Sequence, residues 1–197
     1  METIFKSGYE KIMKSFYNEK SAKIHLREIA RKTKLNENSV SRFLNQLEKN
    51  KILKSEKEGN LKRYSIKKDN LAFSMFAFFD IEKFENLLSL RKKAINYFLE
   101  RLEIKPLIVV LFGSTAKGNF AKNSDVDLLL IVNEKIQTSK AEDYSESQTG
   151  IKINILQISH KNFVNELKLK EDNVLQSAIE TGYPISNHIK YYQEVLK

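Results

Sequence analysis

Apolar side chains in the first 50 residues recur at the three- and four-residue intervals of amphipathic helices. Tyr9, Ile12 and Phe16 follow this spacing and predict a first helix. Ile4 or Phe5 would add one further apolar position to it. Two more helices are predicted in the same way, and their apolar positions are Leu26, Ile29 and Ala30 in the second and Val40, Phe43, Leu44 and Leu47 in the third.

A strand pattern follows the third predicted helix. Residues 52–56 and 61–66 alternate apolar and polar side chains on either side of residues 57–60 (KEGN), which predicts a β-hairpin. The third helix itself would be capped by Asn36 or Asn38, because an Asn side chain accepts hydrogen bonds from free amides of the first turn. The predicted order is therefore helix, helix, tight turn, helix and hairpin.

This order resembles the winged helix-turn-helix of many archaeal and bacterial regulators, with the hairpin as the wing. The resemblance covers residues 1–70. It departs from the family at Lys34, where the turn usually has Gly, and one consequence would be a longer or differently shaped turn. The resemblance implies that the third helix enters the major groove of DNA, where Asn, Gln and Arg match base edges. The outward polar residues of that helix are Asn38, Ser39, Ser41, Arg42, Asn45, Gln46 and Lys49.

Basic charge is concentrated in the same segment. The chain has a net charge of +9, from 34 Lys and Arg against 25 Asp and Glu, and residues 1–70 contain 18 of the basic and 9 of the acidic ones. A basic domain attracts polyanions such as double-stranded DNA. The alternative that stays open is a solubilising surface on a helical module that binds protein. The cations predicted to contact phosphates are Lys57, Lys62 and Arg63 on the wing, with Arg31, Lys32 and Lys34.

Residues 71–105 are predicted to form a helical connector. Apolar positions recur there at heptad-like steps along a single helix that ends before Pro106, and Arg91 interrupts the stripe. The stripe predicts either the seam of a homodimer or a core face that packs two domains together, and both interpretations remain open. Its members are Ile81, Phe84, Leu88, Ile95, Phe98 and Leu102.

The C-terminal half carries a motif that points to chemistry. A short buried strand is predicted at residues 107–112, and Gly113 and Ser114 follow it directly. After ten intervening residues, Asp125 and Asp127 open a second buried strand. This spacing resembles the signature of the polymerase β-like nucleotidyltransferases, above all of their minimal, antitoxin-type members.

Over residues 106–197 the resemblance implies an α+β domain with a mixed sheet and flanking helices. Such a domain transfers a nucleoside monophosphate from an NTP, here expected to be ATP, with Mg²⁺ to a hydroxyl of a protein or an RNA. A partner toxin is one acceptor that the resemblance implies, and the winged helix would then regulate its own operon.

Each residue of the motif has a chemical reason. Gly113 lets the backbone approach a triphosphate, and Ser114 with the first amides of the next helix can hold its phosphates. Asp125 and Asp127 lie two apart on a strand, so both carboxylates point to the same face. They are the predicted catalytic residues and metal ligands, because carboxylates bind Mg²⁺ and the metal neutralises charge on the phosphates.

A third carboxylate, which this family supplies from a later strand, is missing. In the predicted strand 151–159 the best-fitting position is Asn154, whose amide offers neither charge nor basicity, and Lys152 would share its face. The alternative function is therefore a transcriptional regulator whose degenerate nucleotidyltransferase domain senses a nucleotide. A purely structural adaptor is a third hypothesis. The acidic residues of the preceding stretch, expected to be solvated rather than to substitute, are Glu142, Asp143 and Glu146.

Composition excludes several other classes of protein. The chain has no Cys, which excludes a disulfide framework, a thiol nucleophile and a Cys-ligated metal. Its longest apolar run, Leu71–Phe79, is too short to span a bilayer, and no signal peptide is visible. We therefore expect a cytoplasmic protein with no membrane partner.

The C-terminal tail is predicted to be helical scaffold. Caps are expected at Ser159 or Asn162 and at Asp172, and Gly182 is expected to end a helix. A last amphipathic helix is predicted from about residue 187 to residue 196. The three histidines have no ligand or triad spacing, and no chemistry is predicted for them.

Overall fold

The computed structural model describes residues 8–20, 22–121 and 123–197. Two of the positions that predicted the first helix, Ile4 and Phe5, lie outside these ranges. No helix within the described ranges is long and apolar enough to cross a membrane.

The chain divides into two compact units. The first comprises Met1–Phe79 and Leu196–Lys197, and the second comprises Asp80–Val195. Residues 71–79 of the predicted connector thus belong to the first unit and residues 80–105 to the second.

The first unit contains the predicted helices and hairpin in the predicted order. Its sheet is antiparallel, with strand order β1-β3-β2. Glu58 pairs with Leu61, so the hairpin loop consists of Gly59 and Asn60 alone; β2 extends two residues further than predicted, and β3 has the predicted bounds. The elements are α1 (Gly8–Asn18), β1 (Ile24–His25), α2 (Leu26–Thr33), α3 (Glu37–Lys49), β2 (Leu53–Glu58), β3 (Leu61–Ile66) and the first part of α4 (Asn70–Glu85).

The turn between α2 and α3 is short despite the absence of Gly. Lys34 adopts the left-handed conformation (φ 56°, ψ 32°), and its amide donates to the carbonyl of Ala30. This is the helix ending that Gly usually provides, so a Lys takes it here at a conformational cost of about 1 kcal/mol. Asn36, of the two predicted candidates, caps α3 by accepting from the Ser39 amide at 2.8 Å. The longer turn that Lys34 suggested is therefore not formed.

One hydrophobic core lies inside the first unit. Side chains from α1, α2 and α3 meet there with the inner residues of the hairpin, which buries the faces that predicted the three helices. Tyr9, less buried, packs its ring against Phe43 with centroids 4.5 Å apart. The buried members include Ile12, Phe16, Ile29, Val40, Leu44, Leu47, Tyr64 and Ile66.

The prediction of one continuous connector helix is wrong. Helix α4 ends at Glu85, and a new helix, α5 (Ser89–Arg101), begins after Leu88 in an extended conformation (φ −53°, ψ 131°). Leu88 is 62% exposed, whereas Phe98, from the same predicted stripe, is fully buried. The C-terminal positions are apolar because they cover a sheet, and that packing rather than a heptad repeat explains them. The stripe therefore gives no support to a dimer seam.

The second unit has a four-stranded mixed sheet in the order β6-β5-β4-β7. Strands β5 and β6 are parallel, and β4 is antiparallel to both of its neighbours. The predicted mixed sheet is present, but the strand β7 was not predicted. The elements after α5 are β4 (Ile108–Phe112), α6 (Gly113–Lys117), β5 (Val126–Val132), α7 (Ser139–Thr149), β6 (Ile153–Ser159), α8 (His160–Leu169), α9 (Asn173–Thr181), β7 (Tyr183–Ser186) and α10 (His188–Val195).

The two faces of this sheet differ in what covers them. Leu128 and Leu130 of β5 belong to a buried cluster with Phe98 of α5 and Ala141 of α7, so these two helices cover one face. Because side chains alternate along a strand, Asp127 points to the opposite face. Helices α8, α9 and α10 also contact strands of this sheet. The sheet thus separates Asp127 from the helix α7 that precedes β6.

The C-terminal helices begin where capping residues were predicted. Ser159, rather than Asn162, caps α8 by accepting from the Asn162 amide at 3.2 Å. Asp172 caps α9 by accepting from two amides at 2.9 and 3.0 Å. Gly182 ends α9, and a Cβ at this position would overlap the carbonyl oxygens of Ala178 and Leu111. This close approach lets the chain turn directly into β7.

Candidate functional site

Asp125 and Asp127 lie where β5 begins, beside the end of β4. Asp127 is paired with Phe112 across the antiparallel β4–β5 ladder. On its other side it is in register with Asn154 of the parallel strand β6. Asp127 is thus part of a regular sheet, which fixes what lies next to it, whereas Asp125 directly precedes the strand rather than lying on it as predicted.

Asn154 links the two carboxylates. Its Nδ2 donates to Asp125 Oδ2 at 3.1 Å and to Asp127 Oδ1 at 3.3 Å. Asn154 is the residue predicted to stand in place of a third carboxylate, and it lies beside both aspartates. The amide is a neutral group, so it adds hydrogen bonds to the site without adding negative charge.

No third acid completes the cluster in the described part of the chain. Among those residues there is no group of three or more His, Cys, Asp or Glu side chains that could hold a metal ion. Glu142, Asp143 and Glu146 lie on α7, which covers the sheet face opposite to Asp127. The expectation that these three do not substitute for the missing carboxylate agrees with this arrangement.

Gly113 brings the Gly-Ser motif against the aspartates. Its φ is +70°, and a Cβ at this position would overlap Asp127 Oδ2. Only Gly permits both the backbone conformation and the contact. Ser114 follows in the first turn of α6, half-buried, and its carbonyl accepts from the Asn119 amide at 3.2 Å. Phosphate-binding and metal-binding candidates therefore adjoin each other at one end of the β4–β5 pair.

Arg91 is a residue of this site that sequence reasoning missed. It lies on α5 with 3% of its surface exposed. Its guanidinium donates to the Thr115 hydroxyl at 2.8 Å, and to three carbonyls of the segment that leads into β5. These are the carbonyls of Ala121 (3.2 Å), Ser124 (2.8 Å) and Asp125 (3.3 Å). The signal in the sequence is a single Arg within an apolar helix face, which the predicted stripe treats only as an interruption.

The electrostatics of Arg91 follow from its surroundings. Burial lowers the pKa of its guanidinium, and the Asp125 carboxylate acts in the opposite direction. An Arg side chain nevertheless stays protonated in proteins, so a positive charge lies behind Asp125. This charge offsets part of the repulsion between two neighbouring carboxylates.

The donor set suits Mg²⁺ when a nucleotide is present. Mg²⁺ prefers hard oxygen ligands and is usually bound by one or two carboxylates together with substrate phosphates. Asp125 and Asp127 supply the carboxylates, and the Gly113–Ser114 turn lies next to them. With only two acids, the phosphates of the nucleotide would have to complete the coordination.

A second candidate region lies on α3 of the first unit. Six of the seven predicted outward residues line one open groove along this helix. Ser39 does not, because it is half-buried in the first turn, where its amide donates to the cap Asn36. The residues that line the groove are Asn38, Ser41, Arg42, Asn45, Gln46 and Lys49.

Two of the predicted wing cations have partners within the first unit. Lys62 donates to Glu48 Oε2 at 2.7 Å, and Glu48 also accepts from the Ser55 hydroxyl at 2.5 Å. These hydrogen bonds, the one from Lys62 first, lower the pKa of Glu48. Arg63 forms an ion pair with Glu58 and donates to His25 Nε2 at 2.8 Å. The charges predicted for phosphate contact are therefore partly neutralised within the fold.

A further predicted phosphate contact, Lys32, is paired in the same way. Its ammonium lies 2.5 Å from Glu19 and 2.7 Å from Glu28. Lys57, Arg31 and Lys34 are exposed. The basic excess of the first unit is therefore larger than the charge that its surface presents to a ligand.

Comparison with known proteins supports one of the two regions. Residues 91–181 match the model of the family described as nucleotidyltransferase domain. A solved structure, AF1382 from Archaeoglobus fulgidus, is 20% identical with a TM-score of 0.39, and the match covers 42% of this chain and 92% of that one. A toxin-antitoxin structure with AMP-PNP is 17% identical with a TM-score of 0.38, and the match covers 54% of this chain and 82% of that one.

The chain matches no curated protein. The matched family segment begins at Arg91 and ends at the last residue of α9, so it contains both motifs and Asn154. Residues 91–181 of the second unit, which fold into mixed α and β structure, are therefore similar to a nucleotidyltransferase domain.

Proposed function

We propose that the second unit binds an NTP, with ATP as the expected one, together with Mg²⁺ and transfers its nucleoside monophosphate to a hydroxyl of a protein or an RNA. The observation that carries this proposal is the junction of the two motifs: Gly113 lies so close to Asp127 that no side chain fits between them. A nucleotide held at the Gly-Ser turn would have its phosphates beside the carboxylates.

The residues have distinct roles in this proposal. Asp125 and Asp127 hold the metal as catalytic residues, and Gly113 and Ser114 hold phosphate oxygens. Bound Mg²⁺ would neutralise charge on the phosphates as the α-phosphorus is attacked. Asn154 orients both carboxylates through its two hydrogen bonds.

In the proposed reaction, one bond to the α-phosphorus forms and one breaks. The acceptor hydroxyl oxygen bonds to the α-phosphorus, the bond from that phosphorus to the β-phosphate oxygen breaks, and pyrophosphate leaves. Asn154 cannot accept the hydroxyl proton because an amide is not a base at neutral pH. The proton therefore passes to water, and we expect slow turnover.

A second candidate function is favoured by the same asparagine. A site with two carboxylates and a neutral amide keeps the groups that bind a metal–nucleotide complex, yet it lacks the base that would assist transfer. In that case the protein is a transcriptional regulator whose second unit senses an NTP. This function requires nucleotide binding without transfer.

For the first unit we propose a winged helix that binds double-stranded DNA. The polar groove of α3, the short turn at Lys34 and the β2–β3 hairpin support this proposal. Affinity is expected to fall steeply with salt, because phosphate contacts release counterions. Binding that is absent or independent of salt would contradict it. A protein toxin as acceptor and autoregulation of an operon remain part of the proposal, as extensions of the two activities.

A labelling experiment distinguishes the two candidate functions. The protein is incubated with α-labelled NTPs, Mg²⁺ and a lysate of its own source, alongside Asp125→Ala/Asp127→Ala and the control Glu142→Ala/Glu146→Ala. Label on a protein or RNA with wild type and control, but not with the aspartate variant, establishes transfer and the acceptor class. Nucleotide binding that needs the aspartates, without label, establishes the sensor. Absence of binding contradicts both.

A further inference from the structure

We propose that Arg91 is a positioning residue that holds the phosphate-binding turn and the metal-binding aspartate in a fixed relation. This inference rests on the proposed function of Asp125 as a metal ligand. Arg91 itself touches neither carboxylate in the structure; its hydrogen bonds go to the Thr115 hydroxyl and to backbone carbonyls. It acts through the segments that carry the site.

The guanidinium joins the two motifs directly. Nη1 donates to the hydroxyl of Thr115, which follows Ser114, and also to the carbonyl of Asp125. The Thr115 hydroxyl is itself 3.4 Å from the Asp125 carbonyl. A side chain from α5 thereby fixes the distance between the first turn of α6 and the start of β5. These are the two places where the proposed phosphate and metal ligands lie.

The same guanidinium also orders the segment between the motifs. Nη2 donates to the carbonyls of Ala121 and Ser124, and the Phe120 ring stacks 4.0 Å from the guanidinium carbon. The Ala121 amide donates to the Ser124 hydroxyl at 2.9 Å. Removing Arg91 would leave three partly buried backbone carbonyls and the buried Thr115 hydroxyl without this donor.

The choice of Arg argues against a role in packing alone. Arg91 is on the same helix as Ile95 and Phe98, which are fully buried in the core. A buried ion costs several kcal/mol of desolvation, and an apolar residue of similar size often stabilises such a position more. Only the planar guanidinium reaches several acceptors in a fixed geometry; a Lys ammonium at the same place is a point charge with rotating donors.

The expected consequence is a change in metal binding. Partners that orient a metal ligand typically account for about 10- to 100-fold in metal affinity. We therefore expect Arg91→Ala to weaken Mn²⁺ binding in the presence of ATP about 10- to 100-fold, and Arg91→Lys to weaken it less. Thr115→Val, which removes one acceptor and keeps the shape, should have a smaller effect in the same direction.

The chain contains a matched control. Arg101 is on the same helix, and its guanidinium carbon lies 4.1 Å from the Tyr144 ring, much as that of Arg91 lies over Phe120. Arg101 is exposed, and it is far along the helix from the motifs. Arg101→Ala therefore removes the same side chain and a similar stacking contact from α5 without touching the site, and its Mn²⁺ affinity should equal that of wild type.

The experiment combines three readouts on the full chain. Free Mn²⁺ is titrated by electron paramagnetic resonance with ATP present, and hydrogen exchange of the amides of residues 123–127 is measured without nucleotide. Millimolar guanidinium is then added to Arg91→Ala to fill the space left by the side chain. We expect faster exchange and weaker Mn²⁺ binding in the variant, and recovery of both with guanidinium but not with NaCl.

Every outcome decides the proposal. Wild-type Mn²⁺ affinity in folded Arg91→Ala, equal losses in Arg91→Ala and Arg101→Ala, or no recovery with guanidinium overturns it. If Arg91→Ala does not fold, Arg91→Lys and Thr115→Val take its place under the same criteria. If wild type binds no Mn²⁺ with ATP, the proposed function fails, and unchanged exchange at residues 123–127 in Arg91→Lys would separately refute the positioning role.

Discussion

The two candidate regions of this protein differ in how their polar side chains are held. At the Asp125–Asp127 site, hydrogen bonds from Asn154 and Arg91 fix the carboxylates and the segment that carries them. On the α3 groove, the described contacts are few: Gln46 donates to Asn50 at a long 3.4 Å, and Arg42 lies over the Phe43 ring. A site for chemistry needs its groups preorganised, whereas a surface for a long polyanion gains from side chains that adapt.

Charge gives a second contrast between the regions. The first unit is strongly basic in sequence, but Lys62, Arg63 and Lys32 are paired with acidic side chains. The second unit is nearly neutral in sequence, yet it buries a cation directly behind an acidic pair. Net charge therefore describes which partner a unit attracts at long range, and the structure shows which of the charges are already paired within the unit.

The largest effect is expected from a substitution that disrupts the contact between the two motifs. Gly113 and Gly118 both have positive φ, +70° and +74°, but a Cβ overlaps Asp127 only at Gly113; at Gly118 it meets open space. Gly113→Ala and Gly118→Ala should thus share a backbone cost of about 1 kcal/mol in unfolding free energy. Only Gly113→Ala should also weaken Mn²⁺–ATP binding, by about 100-fold, because it displaces a metal ligand.

Titration calorimetry and thermal unfolding of the two glycine variants measure these effects together. Equal losses of nucleotide binding in both variants would mean that backbone strain alone is responsible. The close approach of Gly113 to Asp127 would then have no role in the site.

The second-largest effect is expected for DNA binding by the first unit. Substitution of Arg42, in the α3 groove, by Ala should weaken DNA binding by about 1–3 kcal/mol. Lys62→Ala should lose less than about 1 kcal/mol, because the Lys62 charge is already paired with Glu48. Fluorescence anisotropy with a short mixed-sequence duplex, at several salt concentrations, compares the variants. A larger loss for Lys62→Ala would place the contact surface on the hairpin instead.

A smaller effect, a gain in Mg²⁺ affinity, is expected when the Asn154 amide is replaced by a carboxylate. Asn154→Asp adds a third carboxylate beside Asp125 and Asp127, and Mg²⁺ affinity should rise about tenfold because hard cations favour additional negative oxygen ligands. The same change should reduce stability in the absence of metal, since three carboxylates repel one another. The measurement is Mg²⁺ titration with thermal unfolding, and unchanged affinity would mean that Asn154 does not face the bound metal.

The smallest effect concerns the hairpin of the first unit and depends on pH. The hydrogen bond from Lys62 lowers the pKa of Glu48 below its ordinary 4.5 in the folded state, so this pair stabilises the fold above that value. The stabilisation is lost as the pH falls through the folded pKa. Both side chains are partly exposed, so Glu48→Gln should cost less than about 1 kcal/mol in unfolding free energy at pH 7.

Urea unfolding at pH 7 and at about pH 3 checks this prediction. The difference between wild type and Glu48→Gln should be present at pH 7 and should shrink at the lower pH. A difference that stays constant with pH would show that the Lys62 interaction does not depend on the charge of Glu48.

The candidate site could be predicted from sequence alone because its pattern is local. The strand at 107–112, the Gly-Ser step and the Asp-x-Asp step are short-range features, and periodicity with motif spacing is enough to place them. Asn154 was identified because it lies on a strand of the same sheet, where register follows from alternation. The match of residues 91–181 to the nucleotidyltransferase domain supports that interpretation.

What the sequence did not reveal depends on contacts between distant residues. Arg91 gains its role only from the segment it reaches, 24 to 34 residues later. Strand β7 is short, and it follows Gly182, whose close packing is not indicated by any sequence pattern. The break between α4 and α5 arises because the residues after it cover a sheet, and heptad spacing cannot distinguish that from a coiled-coil face.

The central claim is that Asp125 and Asp127 hold a metal together with a nucleotide. Its most direct test is Mg²⁺-dependent ATP binding, measured by titration calorimetry for wild type, Asp125→Ala/Asp127→Ala and the control Glu142→Ala/Glu146→Ala. The account predicts binding that requires Mg²⁺ in wild type and control and is abolished in the aspartate variant. Equal ATP binding by all three proteins, or binding indifferent to Mg²⁺, would contradict it.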